Sequence, residues 1–119
     1  MPGNRQCSGS SEMKSVSAVD LASWLADSQR APPLVLDVRE PWEQQICTIA
    51  GSQALPMQQI PAQFGSIDRQ RTIVCVCHHG GRSAQVAMFL QRQGYEDVYN
   101  LTGGVDAWAR QIDPSMPVY

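Results

Sequence analysis

The chain has 119 residues, enough for one domain and too few for two. Hydrophobic residues make up 43% of it and charged residues 17%, which is typical of a globular protein and excludes disordered and fibrous classes. The formal net charge of −2 argues against nucleic-acid or anionic-membrane binding driven by bulk positive charge. No apolar run is long enough to span a bilayer.

The first twelve residues are rich in glycine and serine, which predicts a flexible tail ahead of a single domain over residues 13–119. This segment lacks the apolar core of a secretory signal, which favours a cytoplasmic protein with reduced thiols. We therefore expect free thiols rather than a disulfide framework at Cys7, Cys47, Cys75 and Cys77. Cys75 and Cys77 are also poorly placed to pair, since they lie two residues apart in a strand-like run.

The first half of the domain alternates short strands with helices. Residues 13–16 can form a first strand, and Ser17 offers an N-cap side chain to a helix from residue 18 to about residue 28. The apolar run at 34–38 is typical of a strand buried on both faces. The pattern then predicts a helical turn at 40–45 with Pro41 at its first position, a short strand at 53–55 and a short helix at 57–64.

The second half begins with a β-branched strand at 71–76, which leads directly into a loop at 77–83. Helical spacing follows from residue 83 to residue 93, and Gly94 stands where a left-handed cap belongs. A strand at 97–101 and a helix at 105–111 come last. This alternation predicts an α/β domain with a largely parallel sheet, whose ligands bind outside the carboxyl ends of the strands.

The loop after the 71–76 strand concentrates the reactive residues of the chain, in the order Cys77-His78-His79-Gly80-Gly81-Arg82-Ser83. The two glycines allow backbone conformations closed to other residues, so several N–H groups can point at one centre. The helix that begins near Ser83 adds its own free N–H groups, and such a cradle binds an anion. A Cys77 sulfur at its centre would have a lowered pKa, and the same donors would hold a persulfide anion.

The other reactive side chains have simpler interpretations. Arg82 would supply fixed charge near an incoming anion or at the base of the loop. His78 and His79 are expected to line the rim of the pocket or to pack beside it, and a role in proton transfer is open. A cysteine in a buried strand usually packs as a small core residue, which is our interpretation of Cys75. For Cys47 we favour burial over a role as a resolving thiol.

A metal site is the alternative interpretation of this loop, because Cys75, Cys77, His78 and His79 are all metal-ligating types. The spacing argues against it. Paired cysteine ligands are usually separated by two or more residues, and adjacent histidines do not easily face one ion. We therefore expect no metal and no other cofactor. Cys7 in the tail is expected to be exposed and incidental.

Four segments together resemble the rhodanese (thiosulfate sulfurtransferase) family in its single-domain form, over about residues 13–119. They are Leu36-Asp37-Val38-Arg39-Glu40-Pro41-Trp42-Glu43, then Gly51-Ser52, the loop Cys77–Ser83, and Asn100-Leu101-Thr102-Gly103-Gly104 with Trp108. Each segment alone is a weak signal, whereas their order and spacing are specific. One departure is visible: the family commonly has Gly-His-Ile before the Gly51 turn, where this chain has Cys47-Thr48-Ile49.

The resemblance implies a three-layer domain, with a five-stranded parallel sheet between helices on both faces. It implies that Cys77 takes sulfane sulfur from thiosulfate or a persulfide donor and passes it to cyanide or a thiol. By the same match, residues 78–83 form the anion-binding loop, and Asp37 and Arg39 lie at the neighbouring strand end. We interpret Asp37 and Arg39 as a buttress for that loop; the alternative is an exposed ion pair that contributes well under about 1 kcal/mol.

A group of dual-specificity phosphatases shares this fold and a Cys…Arg loop, and loop length separates the two activities. Four residues lie between Cys77 and Arg82, against five in the phosphatase pattern. A smaller ring of amides suits a sulfur atom better than a phosphate, so the sequence favours sulfur transfer. A persulfide carrier or an interaction module remains the alternative. The expected partners are small sulfur compounds or a protein donor or acceptor, with no nucleic acid and no membrane, and the expected state is a monomer.

Overall fold

The computed structural model describes residues 14–119. The predicted tail at 1–12, with Cys7, and residue 13 of the predicted first strand lie outside the described residues. The strands are β1 (Lys14–Val16), β2 (Leu34–Asp37), β3 (Gln53–Ala54), β4 (Ile73–Val76) and β5 (Val98–Leu101). The helices are α1 (Ala18–Ala26), α2 (Pro41–Ile46), α3 (Ile60–Gln63), α4 (Gly81–Arg92) and α5 (Gly104–Gln111).

The five strands form one parallel sheet in the order β1-β5-β4-β2-β3, which confirms the predicted α/β class. β4 lies at the centre, where Asp37 of β2 is aligned with Val76, and Asn100 of β5 is aligned with Cys75. The residue that follows β4 therefore emerges between the carboxyl ends of β2 and β5. In a parallel sheet this is the edge at which ligands bind.

Each face of the sheet carries its own apolar core because successive side chains of a strand point to opposite faces. Ile73 and Cys75 belong to the core that includes Leu90 of α4, and Val74 and Val76 to the core that includes Leu21 of α1. Trp108 of α5 packs in this second core. The helices thus cover both faces, and the domain has three layers. Among the described residues, no helix combines the length and apolarity needed to cross a membrane.

The boundaries of several elements differ from the prediction. The Ser17 hydroxyl accepts from the N–H of Asp20 at 3.0 Å as expected, but α1 ends at Ala26. The helix predicted at 57–64 consists of α3 between two 3₁₀ turns, Met57–Gln59 and Phe64–Ser66. β4 begins two residues later than predicted, after a turn in which the N–H of Arg71 donates to the carbonyl of Asp68. The turn Met57–Gln59 follows β3 at the carboxyl edge of the sheet, where the N–H of Met57 donates to the carbonyl of Val38 at 2.9 Å.

Candidate active site

Cys77 follows β4 directly, and its sulfur accepts hydrogen bonds from the loop that comes after it. The Gly80 N–H donates to Sγ at 3.0 Å, and the Ser83 hydroxyl lies 3.3 Å from the same atom. Ser83 is fully buried in the first turn of α4, a helix of twelve residues. The sulfur therefore lies at the N-terminal end of α4, where free N–H groups and the helix dipole favour negative charge.

Gly80 gives the loop its shape, whereas Gly81 does not. Gly80 has a φ of 110°, in the left-handed region, and α4 begins at the next residue. This is two residues earlier than predicted because Gly80 itself caps the helix. The expectation that both glycines adopt conformations closed to other residues is wrong for Gly81, which has helical backbone. A Cβ built on Gly81 would meet no atom within 4 Å.

The N-terminus of α5 holds the other side of the loop. The N–H of Val105 donates to the Cys77 carbonyl at 2.9 Å, and that of Asp106 donates to the His78 carbonyl at 3.1 Å. In a planar trans peptide the N–H points opposite to the carbonyl. The Asp106 N–H binds the His78 carbonyl on the side that faces away from the Cys77 sulfur. The His79 N–H of the same peptide therefore points towards the sulfur, where it stabilises the Cys77 thiolate.

These donors shift the pKa of Cys77 against the effect of burial. Burial raises the pKa of this thiol, but hydrogen bonds from the Ser83 hydroxyl and from the N–H groups of Ser83, Gly80 and His79 outweigh it, so the net pKa is lowered. Cys75 differs, because burial without such donors raises its pKa to about 12. The expectation that Cys75 is a core residue is confirmed by its complete burial.

Access to the Cys77 sulfur is narrow. The residue is 1% exposed, although His79 beside it is exposed. A reagent must therefore present a single protruding atom to the sulfur or displace the side chains of the loop. This geometry separates small reagents from bulky ones.

Arg82 lies at the base of the loop and is held by a buried carboxylate. Its two terminal nitrogens donate to Glu43 of α2 at 2.6 and 2.7 Å, in the bidentate geometry that arginine and carboxylate favour. The hydrogen bonds from Arg82 are the largest cause of the lowered pKa of Glu43, about 2. The charge of Arg82 is thus compensated within the protein, although 36% of its side chain is exposed.

Asp37 and Arg39 form a buried ion pair at the end of β2, with Nη2 2.7 Å from Oδ2. The alternative of an exposed ion pair is wrong, since Arg39 is fully buried and Asp37 is 1% exposed. Arg39 reaches the loop at 77–83 through other residues: its Nη1 donates to the Tyr119 hydroxyl at 2.9 Å, and that hydroxyl donates to Glu43 at 2.8 Å. Asp37 and Arg39 therefore connect to Arg82 indirectly.

Arg39 also fixes the segment in which the sequence departs from the family pattern. Its Nη2 donates to the Cys47 carbonyl at 2.6 Å. The Cys47 side chain is buried, as expected, with its sulfur 3.8 Å from Nη1 of Arg39. The missing histidine is therefore not needed to hold this segment in place.

The two histidines pack at the mouth of the loop. His78 is half-buried and stacks on Tyr119, with ring centroids 3.8 Å apart and an interplanar angle of 3°. His79 lies on its other side at 3.9 Å. Burial, followed by the proximity of His79, lowers the pKa of His78. Both effects favour the neutral imidazole.

The geometry of these histidines bears on metal binding. Ligand atoms of His78, His79 and Asp106 lie within 4.8 Å of one another. The two imidazole planes are tilted by only 32°, so their in-plane lone pairs are closer to parallel than to convergent. One Asp106 oxygen also accepts from Arg110 at 3.0 Å. A single ion would require the rings to separate.

Sequence reasoning missed three residues that the fold brings to the site. Glu43 and Tyr119 complete the network below Arg82, and Asn100 hydrogen-bonds both Ser83 and Gly80. Glu43 was visible as the third residue of α2, where its side chain accepts from the Glu40 N–H in a capping box. The sequence contains no local signal for the role of Tyr119, because its partners lie 76 and 80 residues away.

Comparison with known proteins places this site in a family. A model of the "Rhodanese-like domain" matches residues 18–111. A "Sulfurtransferase" of Allochromatium vinosum is 38% identical over 95 residues, which are 80% of this chain and 87% of that protein. The "Thiosulfate sulfurtransferase GlpE" of Pseudoalteromonas translucida is 33% identical over 76% of this chain and 86% of its own length.

Some relatives are longer, and solved structures agree in fold. The chain spans 30% of the "Rhodanese-like/PpiC domain-containing protein 12, chloroplastic" of Arabidopsis thaliana, with 39% identity over 71% of this chain. The crystal structure of a "Rhodanese-like Domain Protein" from Staphylococcus aureus superposes with a TM-score of 0.77 and 31% identity, over 90% of this chain and 99% of that one.

Proposed function

The chain belongs to the rhodanese-like domain family, and from that membership we propose that it is a sulfurtransferase that carries sulfane sulfur as a persulfide on Cys77. The observation that carries this proposal is the convergence of the Gly80 N–H and the Ser83 hydroxyl on Sγ, at 3.0 and 3.3 Å. Donors in this arrangement stabilise a thiolate, which is the nucleophilic form of cysteine. The names of relatives such as GlpE support thiosulfate as a donor.

The proposed reaction is a double displacement. The Cys77 thiolate attacks the outer sulfur of thiosulfate, the S–S bond of the donor breaks, and sulfite leaves with the electron pair. The negative charge then lies on the terminal sulfur of the persulfide. Cyanide or a thiolate attacks that terminal sulfur, and the bond to Sγ breaks with return of its electron pair, so Cys77 becomes a thiolate again. A persulfide donor enters the same cycle and releases a thiolate instead of sulfite.

Each residue of the loop has a proposed part in this cycle. The loop at 78–83 binds the negative sulfur. The donors that already reach Sγ are the N–H groups of His79, Gly80 and Ser83 and, for the thiolate, the Ser83 hydroxyl. Arg82 fixes the base of the loop and adds positive charge near the thiolate. Asp37 and Arg39 support it through the hydrogen bonds of Glu43. His78 and His79 form the rim, where a donor must pass.

The site favours sulfur over phosphate for a reason of size. The Gly80 N–H and the Ser83 hydroxyl both reach one atom, the sulfur of the enzyme, at hydrogen-bond distance. A phosphate bound above Sγ needs a wider ring whose donors reach three oxygens. The loop with four residues between Cys77 and Arg82 is one residue shorter than the phosphatase pattern.

Intact-protein mass spectrometry after treatment with thiosulfate, and separately with a persulfide donor, tests the proposal. We expect a gain of about 32 Da, one sulfur atom, that is lost on addition of cyanide with formation of thiocyanate. Cys77→Ser should abolish both the mass gain and thiosulfate:cyanide turnover. The matched control is Cys75→Ser, two residues earlier and buried in the core, which should keep at least about a third of the activity because its thiol is not ionised.

The outcomes separate the alternatives. A mass gain on Cys77 without turnover indicates a persulfide carrier that needs a particular protein acceptor. No mass gain with any donor, or a native Cys77 thiol that resists small alkylating reagents, contradicts the proposal and leaves an interaction module. Equal loss of activity in Cys75→Ser and Cys77→Ser contradicts the assignment of the nucleophile.

A further inference from the structure

Asn100 is a buried polar residue on β5 that has no role in the proposed reaction. It is 7% exposed and is aligned with Cys75, so its side chain lies beside the start of the catalytic loop. Its Nδ2 donates to the Gly80 carbonyl at 3.2 Å, and its Oδ1 accepts from the Ser83 hydroxyl at 2.5 Å. The orientation of the amide is defined, because a carbonyl can only accept and must therefore face Nδ2.

The Ser83 hydroxyl has one proton and two acceptors for it. One acceptor is Oδ1 of Asn100 at 2.5 Å, and the other is Sγ of Cys77 at 3.3 Å. When Cys77 is a neutral thiol, its S–H can donate to the Ser83 oxygen while the Ser83 proton goes to Asn100. When Cys77 is a thiolate, the stronger, charge-assisted bond turns the proton to Sγ, and the buried Oδ1 loses its donor.

We propose that Asn100 is a positioning residue that competes with Cys77 for the Ser83 hydroxyl proton and so favours the persulfide over the bare thiolate. This inference rests on the proposed function. When the thiolate forms its bond to the outer sulfur of the donor, the leaving group takes the electron pair of the bond that breaks. The negative charge moves from Sγ to the terminal sulfur, and the Ser83 hydroxyl turns back to Oδ1. No proton is gained or lost in this step.

A purely structural role for Asn100 would have the opposite effect on the thiol. If its amide mainly held the loop in place, its loss would misalign the Gly80 N–H and weaken thiolate formation. However, the Gly80 carbonyl also accepts from the N–H of Ala84 at 3.1 Å, the first turn of α4. Gly80 therefore remains anchored without Nδ2. The competition for the proton is then the dominant effect of Asn100.

Other charged or titratable groups surround the sulfur, and substitution of Asn100 alters none of them directly. They are Cys75 on β4, Arg82 on α4 with its partner Glu43 on α2, His78 and His79 in the loop, and Asp106 on α5. A change in thiol reactivity on substitution of Asn100 can therefore be traced to the hydroxyl of Ser83.

The first test is Asn100→Leu, which removes both polar atoms at similar volume. We expect alkylation of Cys77 by iodoacetamide at pH 6 to become about two- to tenfold faster, because the Ser83 hydroxyl then donates its proton to Sγ alone. We also expect the persulfide to lose its sulfur to cyanide faster. Slower alkylation would show that Asn100 acts as a structural support, and an unchanged rate would show no coupling; either result overturns the proposal.

A double-mutant cycle with Ser83→Ala isolates the hydroxyl. Without the hydroxyl there is no proton to compete for, so Asn100→Leu should leave the alkylation rate of the Ser83→Ala protein unchanged. An equal acceleration in both backgrounds overturns the proposal. If Asn100→Leu does not fold, Asn100→Asp replaces it in the cycle. Asn100→Asp should slow the alkylation of Cys77 more in the wild-type background than in the Ser83→Ala background. Equal slowing in the two backgrounds overturns the proposal.

The alkylation cycle also separates this inference from the proposed function. A wild-type protein that takes up no sulfur from any donor would contradict the sulfurtransferase proposal. The alkylation rates of the four proteins would still report whether Asn100 and Cys77 share the hydroxyl proton.

Discussion

Glu43 connects the residues that support the loop at 77–83. Its carboxylate, 3% exposed, accepts from both terminal nitrogens of Arg82, from the Tyr119 hydroxyl and from the Glu40 N–H. A buried carboxylate is costly unless it is paired, and these four hydrogen bonds offset that cost. Loss of one partner therefore leaves an incompletely compensated charge beneath the loop.

We expect Arg82→Ala to lower the free energy of unfolding at pH 7 by about 1–2 kcal/mol. The loss is smaller than for a fully buried ion pair because Arg82 is partly exposed to solvent. The effect should depend on pH. The pKa of Glu43 is about 2 in the folded protein and 4.5 for an unperturbed glutamate, so the stabilisation by this pair is complete above pH 4.5 and is lost as pH falls through about 2. Urea unfolding at pH 7, 4 and 2.5 measures the difference from wild type.

The control for this prediction is Arg82→Lys, which keeps the positive charge but loses the bidentate geometry. It should keep more of the thiol reactivity of Cys77 than Arg82→Ala does, since the charge of Arg82 favours the thiolate. A stability difference between wild type and Arg82→Ala that is the same at pH 7 and pH 2.5 would show that the pair with Glu43 is not its source.

At the scale of secondary structure, the N-termini of α4 and α5 both face the site and contact different groups of the loop. α4 directs its donors at the sulfur itself, through Gly80 and Ser83. α5 binds the carbonyls of Cys77 and His78 from the opposite side. The backbone N–H groups of the loop therefore face inward because the carbonyls are held outward.

Close packing between α5 and the loop depends on Gly104. Its φ is 60°, and a Cβ at this position would lie 2.4 Å from both the Cys77 and His78 carbonyl oxygens. We expect Gly104→Ala to lower the free energy of unfolding by about 2–4 kcal/mol, from the strained backbone and the displaced carbonyls. Urea unfolding measures the loss of stability, and the persulfide mass gain measures damage to the loop.

The matched control is Gly81→Ala, a second glycine of the same region with helical backbone and open space around its Cβ position. This variant should change the free energy of unfolding by less than about 0.5 kcal/mol and keep the persulfide. Equal stability of the two variants would contradict the role assigned to the contact of α5 with the loop.

The sequence predicts the elements that carry their own local signal. β2 and β4 are continuous apolar runs, and both were predicted within two residues of their observed bounds. The start of α4 could not be placed, because the sequence does not tell which of Gly80 and Gly81 takes the left-handed conformation; Gly80 takes it, and its carbonyl accepts from Asn100, 20 residues away. Such contacts join residues that are distant in sequence.

The same limit applies to the candidate site. Cys77 and its loop are contiguous, so their chemistry could be predicted from residue types and spacing. Glu43, Asn100 and Tyr119 reach the loop only through the tertiary fold, where they meet Arg82, Ser83 and His78 across separations of 39, 17 and 41 residues. The family resemblance indicated that Asp37 and Arg39 lie at the neighbouring strand end, but not that Arg39 would act through Tyr119.

At the scale of the whole molecule, the charges are distributed between the two edges of the sheet. Near the amino ends of the strands, Lys14 pairs with Asp97. At the active-site edge, the basic residues that the structure describes are paired as Asp37–Arg39 and Glu43–Arg82, and Asp106 in the first turn of α5 pairs with Arg110 in its last turn. Glu40, at the same edge, forms no ion pair with the described residues. Under the proposed function, a dianion such as thiosulfate therefore meets no unpaired basic side chain among the described residues of this edge.

We therefore expect kcat/KM for thiosulfate to stay within about twofold, or to rise, as ionic strength increases from about 0.02 to 0.3 M, because salt screens repulsion as well as attraction. Glu40→Gln should raise kcat/KM at low salt by about twofold, and this gain should shrink at high salt. Glu96→Gln makes the same charge change before β5, at the opposite edge, and should leave kcat/KM unchanged. A steep fall of wild-type kcat/KM with salt would show that uncompensated positive charge guides the donor, contrary to the three ion pairs.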